Sequence, residues 1–132
     1  MNSAAQILDL NEKAMSSFRT PKQAHFFLKQ ALLSLHSLPH EDPALHALCA
    51  KTKGLVYSSQ NRLDLALVAF QDCLRHLGRG DVSQRREEVA QAKLNICAVL
   101  SKGGRHRKVL NSEIKFFRLI ILSFLTQKSR LL

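Results

Sequence analysis

Six histidines in 132 residues are the first candidates for chemistry, because imidazole binds transition metals and exchanges protons near neutral pH. His36 and His40 are four positions apart, which on one helix would place two ligands on one face, and His46 follows six positions later. Pro39 and Pro43 interrupt that helix, and no cysteine or carboxylate pair completes a tetrahedral zinc site. The other histidines, interpreted as solvated or locally partnered, are His25, His76 and His106. We therefore predict no metal site.

Three cysteines, Cys49, Cys73 and Cys97, are the candidate nucleophiles. Each lies among apolar residues at helical spacing, where a thiol behaves as a small hydrophobic side chain. Their odd number and wide spacing argue against a disulfide framework and favour a reducing, intracellular compartment. The sequence contains no glycine-rich phosphate loop and no serine between glycines in a strand-to-helix turn. We therefore predict that the protein is not an enzyme and binds no cofactor.

The spacing of apolar residues predicts an all-α fold, because they recur at intervals of three to four and no stretch alternates like a half-buried strand. Thr20 and Asp42 each precede a proline, which predicts a capping side chain followed by a helix that begins at the proline. Ser83 is expected to cap a later helix. Residues expected to end helices in the left-handed conformation are Asn61, Gly78 and Gly104.

These signals divide residues 1–132, which by length form a single domain, into six helices. Short connections place consecutive helices antiparallel, so we predict three hairpins at 3–38, 43–77 and 83–128. The individual helices are predicted at 3–18, 21–38, 43–60, 62–77, 83–102 and 105–128.

The middle hairpin carries an ordered pattern of small and large side chains. Gly54 and Ala66 are small where two antiparallel helices would cross closely, and Tyr57 and Phe70 would fill the wider gaps beside them. Cys73 adds another small residue one turn later. This order of small residue, aromatic, tight turn, alanine, aromatic and small residue resembles a tetratricopeptide repeat (TPR), whose unit is a helix pair. The match extends over about one repeat.

Weaker copies of the pattern lie on both sides at a nearly constant interval. Ala24 is 42 positions before Ala66, and Val109 is 43 positions after it. In the third hairpin Cys97 takes the small-residue place and Leu100 precedes the turn. This interval exceeds the usual TPR length of roughly 34 and resembles the long-helix variants found in kinesin light chains. The resemblance implies three helix hairpins stacked as a short, right-handed, TPR-like solenoid.

Three positions depart from the repeat. Glu12 stands where the first hairpin should have a small residue, and Val109 and Glu113 replace the alanine and the aromatic of the third. The outer repeats are therefore expected to be degenerate caps or to pack differently from the middle one. A generic antiparallel helical bundle is the alternative architecture.

The resemblance implies a scaffold that binds a peptide or helix of another protein along the first helices of its hairpins. The net charge of +10 predicts an acidic partner. The basic turn after the fifth helix lacks interleaved aromatic residues, so we expect a protein partner and not nucleic acid. Analogy with cytoskeletal scaffolds suggests a cytoplasmic, cytoskeletal or ciliary setting. The candidate partner-binding residues are Lys51, Thr52, Lys53, Ser58, Ser59, Asn95, Lys102, Arg105, Arg107 and Lys108.

The last predicted helix is apolar on almost every side, with Phe117, Ile121 and Phe124 among its large residues. Such a helix must be buried on more than one side, so we expect a second copy, a larger assembly or further repeats to cover it. Its apolar run, 116–125, is too short to span a bilayer. The flanking basic residues also fit a target helix of calmodulin-like proteins. The alternative function is therefore a structural subunit of a large cytoskeletal, ciliary or ribonucleoprotein assembly, held through this helix and the basic face.

Overall fold

The computed structural model describes residues 4–79 and 85–103. Within these ranges the chain forms five α-helices and no strand, which confirms the all-α prediction for this part of the chain. The predicted sixth helix at 105–128, together with Ser83 and Gly104, lies outside the described residues. The five helices are α1 (Ala4–Ser16), α2 (Pro21–His36), α3 (Pro43–Ser59), α4 (Leu63–Leu77) and α5 (Arg86–Lys102).

Helices α2 and α3 begin at Pro21 and Pro43, as predicted, but the two residues expected to cap them behave differently. The carboxylate of Asp42 accepts hydrogen bonds from the backbone N–H groups of Ala44 (3.0 Å) and Leu45 (3.3 Å), as predicted. The prediction for Thr20 was wrong, because its side chain makes no capping hydrogen bond. Its backbone carbonyl accepts the N–H of Ala24 at 3.0 Å. Proline at the first helical position therefore starts α2 without a side-chain cap.

The ends of α3 and α4 also differ. Asn61, after α3, has φ 59° and confirms the predicted left-handed residue. This turn lets the N–H of Arg62 donate to the carbonyl of Tyr57 at 2.9 Å. The prediction for Gly78 was wrong, because this residue keeps right-handed helical angles of φ −71° and ψ −13°. Its N–H donates to the carbonyl of Leu74, so α4 ends by continuing its own hydrogen-bond pattern.

The core clusters fix the relative directions of the first three helices. Ile7 near the start of α1 packs with Leu35 near the end of α2 and with Cys49 early in α3. Near the opposite ends, Ala14 of α1 packs with Ala24 of α2, and Val56 of α3 joins the same cluster. We therefore find α2 antiparallel to α1 and α3, which run in the same direction.

The same alternation continues through α4 and α5. Ala47 early in α3 packs with Leu77 at the end of α4 and with Val89 early in α5. The opposite cluster joins Ala66 and Ile96, from the start of α4 and the second half of α5. The five helices consequently alternate in direction along the chain.

The helix α3 lies in the middle of this arrangement, because it contacts α1, α2 and α4, while α4 also contacts α5. The first residues of α2 and α4, Pro21 and Leu63, are 42 positions apart, and those of α3 and α5, Pro43 and Arg86, are 43 positions apart. The helices thus recur at the interval read from the side chains. None of the described helices is long and apolar enough to cross a membrane.

Candidate functional site

A groove of about 340 Å³ runs between α1 and α3, the first helices of the two described hairpins. Such concave, largely apolar surfaces are where proteins commonly bind other molecules. Leu8 is half exposed in it, at 50% of its full surface. The groove is lined by Leu8, Asn11, Glu12 and Met15 of α1 and by Leu48, Lys51, Thr52 and Leu55 of α3.

Two buried polar side chains lie at the floor of this groove. The Nδ2 group of Asn11 donates to the carbonyl of Ile7 at 2.8 Å and to the sulfur of Cys49 at 3.4 Å. The hydroxyl of Thr52 donates to the carbonyl of Leu48 at 3.0 Å. Because these donors are used within the protein, the leucine and methionine side chains remain as the surface offered to a ligand.

One acidic and one basic side chain border the groove. Glu12 lies on α1 and Lys51 on α3, and both are exposed. Asp9 and Lys13 form an ion pair at 3.1 Å on the neighbouring surface of α1. The groove is therefore apolar with one positive and one negative charge, and it is less cationic than the sequence predicted.

The partner-binding residues predicted on α3 do not share one surface. Lys51 lines the groove, whereas Lys53 lies with Tyr57 and Val68 on a separate surface between α3 and α4. Thr52 is 3% exposed and reaches the groove only from its floor, so its prediction as an exposed contact was wrong. Because successive residues of a helix point about 100° apart, three consecutive positions cannot all face one partner.

The remaining predicted partner-binding residues are placed only in part. Ser58 is half-buried on α3, and Asn95, half-buried on α5, accepts a hydrogen bond from Gln91 at 3.1 Å. Lys102 is exposed at the end of α5. The candidates outside the described residues are Arg105, Arg107, Lys108, Phe117, Ile121 and Phe124.

The residues predicted to pack the repeat lie mainly between α3 and α4. Ala66, Phe70 and Cys73 are almost completely buried, at 0%, 1% and 3% exposure, and Gly54 is buried against the Phe70 ring. Tyr57 is half-buried, with its ring 5.3 Å from that of His25 and 5.3 Å from the guanidinium of Arg62. On α5, Cys97 and Leu100 are half-buried, and Leu100 packs on the cluster around Phe70.

The first hairpin repeats the burial of the second along α2 and only in part along α1. Ala24, Leu28 and Ala31 of α2 are buried at 0%, 4% and 0%, like their counterparts 42 positions later. On α1, Ile7 and Ala14 are buried like their counterparts 42 positions later, but Glu12, the counterpart of Gly54, is exposed. This hairpin therefore packs differently at the place where the sequence departs from the repeat.

The structure brings together His36 and His46, which are ten positions apart in the sequence, and His76, which was expected to be solvated or locally partnered. His36 of α2, His46 of α3 and His76 of α4 form a row, with ring centroids 6.1 Å apart for the first pair and 4.8 Å for the second. Only His76 is buried, at 8% exposure. Its burial lowers the pKa of the imidazole below its usual range, which the nearby carboxylate of Asp72 opposes. Thirty residues separate His46 from His76, so no local spacing could have indicated the row.

The row does not have the geometry of a metal centre. Among the described residues, no group of three or more histidine, cysteine, aspartate or glutamate side chains could hold a metal ion. The buried thiols are also poor nucleophiles, because burial raises the pKa of Cys49 and raises that of Cys73 to about 11. The α1/α3 groove is the candidate site because it lies between the first helices of two hairpins, whereas the concavity of about 670 Å³ between α3 and α4 lies within one hairpin.

No family model, no curated protein and no solved structure matches this chain. The functional interpretation accordingly depends on the groove, the charges and the packing described above.

Proposed function

We propose that the protein is a non-enzymatic, TPR-like scaffold that binds a peptide or helix of a partner protein in the α1/α3 groove. The observation that carries this proposal is the position of the groove between the first helices of two successive hairpins. In a solenoid of stacked helix pairs, equivalent helices lie side by side and form one extended binding surface. The parallel direction of α1 and α3 and the recurrence of helix starts at 42 and 43 positions support such stacking.

The chemistry of the groove favours a partner segment with apolar side chains at helical or alternating spacing. Leu8, Leu48 and Leu55 offer the apolar contact, and burial of apolar area contributes about 25 cal/mol per Å². Lys51 at one border favours a carboxylate in the ligand, whereas Glu12 on the opposite helix favours a cation. Attraction of an acidic partner would depend mostly on residues 104–132, which carry seven Lys or Arg against one Asp or Glu.

The test compares two leucines of similar exposure in different places. Leu8 is 50% exposed in the groove and Leu33 is 56% exposed on α2, outside it. Partners captured from native extract would be quantified by mass spectrometry with the wild-type protein, Leu8→Asp and Leu33→Asp. We expect Leu8→Asp to lose specific partners that Leu33→Asp keeps, because a carboxylate cannot be desolvated against an apolar ligand. Equal capture by both variants, with unchanged folding, would reject the groove.

The alternative function, a structural subunit of a large assembly, is favoured by apolar side chains outside the groove. Phe26 and Leu33 on α2 and Val68 on α4 are 56%, 56% and 60% exposed. Exposed apolar residues that cluster can mark protein contacts. In the same capture experiment, partners lost on deletion of 113–132 or with Leu33→Asp, but kept with Leu8→Asp, would support this alternative.

A further inference from the structure

We propose that the histidine row formed by His36, His46 and His76 is a pH-sensitive latch, which holds the end of α4 to the α2–α3 connection at neutral pH and loosens this contact on acidification. The row joins three helices from two hairpins, since His36 is the last residue of α2, His46 is on α3 and His76 is on α4. The His46 and His76 rings are stacked, with 25° between their planes, and His36 meets the edge of His46 at 68°.

The hydrogen bond between Arg79 and His76 fixes the protonation state of the buried ring. The guanidinium Nη1 of Arg79 lies 3.1 Å from Nδ1 of His76, and arginine has no acceptor atom. Nδ1 must therefore accept, which requires the neutral imidazole with its proton on Nε2. That Nε2 atom faces the carboxylate of Asp72 at 3.6 Å. A second proton could be added only at Nδ1, where it would remove this hydrogen bond and place two positive charges together.

Arg79 also links the row to the connection between the hairpins. Its other terminal nitrogen, Nη2, lies 2.7 Å from the carboxylate of Glu41, which precedes α3. Arg79, with lesser contributions from His46 and His76, keeps the pKa of Glu41 below its usual range. Protonation of His76 would displace Arg79 from Nδ1 and so weaken the contact between the end of α4 and the α2–α3 connection.

The charges around His76 come from several elements and do not cancel. On α4, the carboxylate of Asp72 favours the protonated ring. Three groups disfavour it: Arg75, which is itself paired with Asp72, Arg79 after α4, and His46 of α3. On α5, Glu88 acts on Cys73, three positions before His76. Burial is the largest contribution, so the pKa of His76 lies below the ordinary 6.5.

The direction of the pH effect follows from this lowered pKa. Between the pKa of His76 in the folded protein and 6.5, the unfolded chain binds more protons, so stability rises with pH. The stabilisation is present above 6.5 and is lost as the pH falls through this interval. For one group, the folding constant changes by at most about tenfold per pH unit.

The first experiment compares the urea unfolding of wild type, His76→Asn and His40→Asn between pH 8 and 5. The Oδ1 atom of asparagine offers Arg79 a similarly placed acceptor that does not titrate. His40 lies exposed in the α2–α3 connection and serves as the matched control. We expect the folding constants of the wild-type protein and of His40→Asn to fall in parallel below pH 6.5. The folding constant of His76→Asn should fall less steeply, by up to about tenfold per pH unit. An unchanged pH dependence in His76→Asn would overturn the latch.

Two measurements on the full wild-type chain keep the proposal falsifiable if His76→Asn does not fold. NMR titration should place His76 below 6.5, and a value at or above 6.5 would contradict the proposal. Amide hydrogen exchange, corrected for the intrinsic effect of pH, should then show the end of α4 exchanging severalfold faster at pH 5 than at pH 7, with α5 little changed. Equal acceleration in both helices would indicate general unfolding and would refute local release.

Discussion

The ring of Phe70 on α4 lies directly against the backbone of Gly54 on α3. A Cβ atom added to Gly54 would be only 2.5 Å from Cε1 of Phe70 and 2.7 Å from its Cδ1. Since Phe70 is 1% exposed, the ring is enclosed by its neighbours and cannot move out into solvent. The absence of a side chain at position 54 therefore sets how closely α3 and α4 approach.

Gly54→Ala should destabilise the protein by about 1–2 kcal/mol. Overpacking of a filled core costs about 1–3 kcal/mol, which exceeds the gain of up to about 1 kcal/mol from replacing glycine inside a helix. Gly78→Ala is the matched control, because a Cβ there would meet backbone oxygens at an ordinary 3.6 Å. We expect that control to stay within about 0.5 kcal/mol of wild type. Urea unfolding gives both values, and a Gly54→Ala protein as stable as wild type would contradict the packing described.

Asn61 adopts a left-handed conformation in the turn between α3 and α4, at φ 59°. Its side chain is exposed, so a substitution there tests the backbone and removes few contacts. We expect Asn61→Ala to cost about 1 kcal/mol, because alanine is strained in this region, and Asn61→Gly to cost less than about 0.5 kcal/mol. Thermal unfolding would measure the difference, and a more stable alanine variant would show that the turn has another conformation in solution.

Asn11 is 3% exposed, and its Nδ2 group donates to the carbonyl of Ile7. Asn11→Asp would place an acceptor against that carbonyl and bury a charge, so we expect a loss of about 2–4 kcal/mol at pH 7. Asn11→Leu, which removes the polar atoms and keeps the branched shape, should stay within about 1 kcal/mol of wild type.

The pH dependence distinguishes a buried charge from a steric effect at this position. Burial would raise the pKa of the introduced carboxyl above its unfolded value, so the folded protein would gain relative stability as the pH falls and the group is protonated. Urea midpoints at pH 7 and pH 5, each referred to wild type at the same pH, provide the measurement. A difference between Asn11→Asp and wild type that does not shrink at pH 5 would count against this explanation.

Cys73 should be protected from alkylation in the folded protein. Its pKa of about 11 leaves roughly one thiol in a thousand ionised at pH 8, and the side chain is 3% exposed. Half-buried Cys97 should therefore react first with iodoacetamide, and all three cysteines should react in urea. Peptide mass spectrometry resolves the sites, and early labelling of Cys73 would show that α4 opens readily.

The sequence was sufficient to predict the five helices that the structure describes, because their limits depend on local chemistry. Proline and the side chain of Asp42 define the start of α3, and Asn61 defines the turn after it. The same reasoning failed at Gly78, since glycine permits a left-handed conformation without requiring one. It failed at Thr20 because the hydroxyl is exposed and not needed once proline has fixed the backbone.

The candidate site was less predictable, because it depends on how each helix is rotated. The repeat pattern identified α3 as a lining element but could not separate Lys51 from Lys53, which lie on different surfaces. The same pattern placed α1, as the first helix of its hairpin, along the binding surface but named none of its lining residues, since Leu8 and Met15 look like ordinary core positions in the sequence. The histidine row was missed because His76 is thirty positions from His46, and their rings meet only after α3 and α4 have packed.

The central position of α3 limits how this protein can be divided. Its buried residues surround much of the helix, including Cys49 towards α1 and α2 and Ala47 towards α4. A fragment that begins at the α2–α3 connection would expose one of these faces to water and should aggregate. Shortened or spliced forms that lack α1 and α2 would therefore need another protein surface to bury the exposed face of α3. The two hairpins thus cannot replace each other.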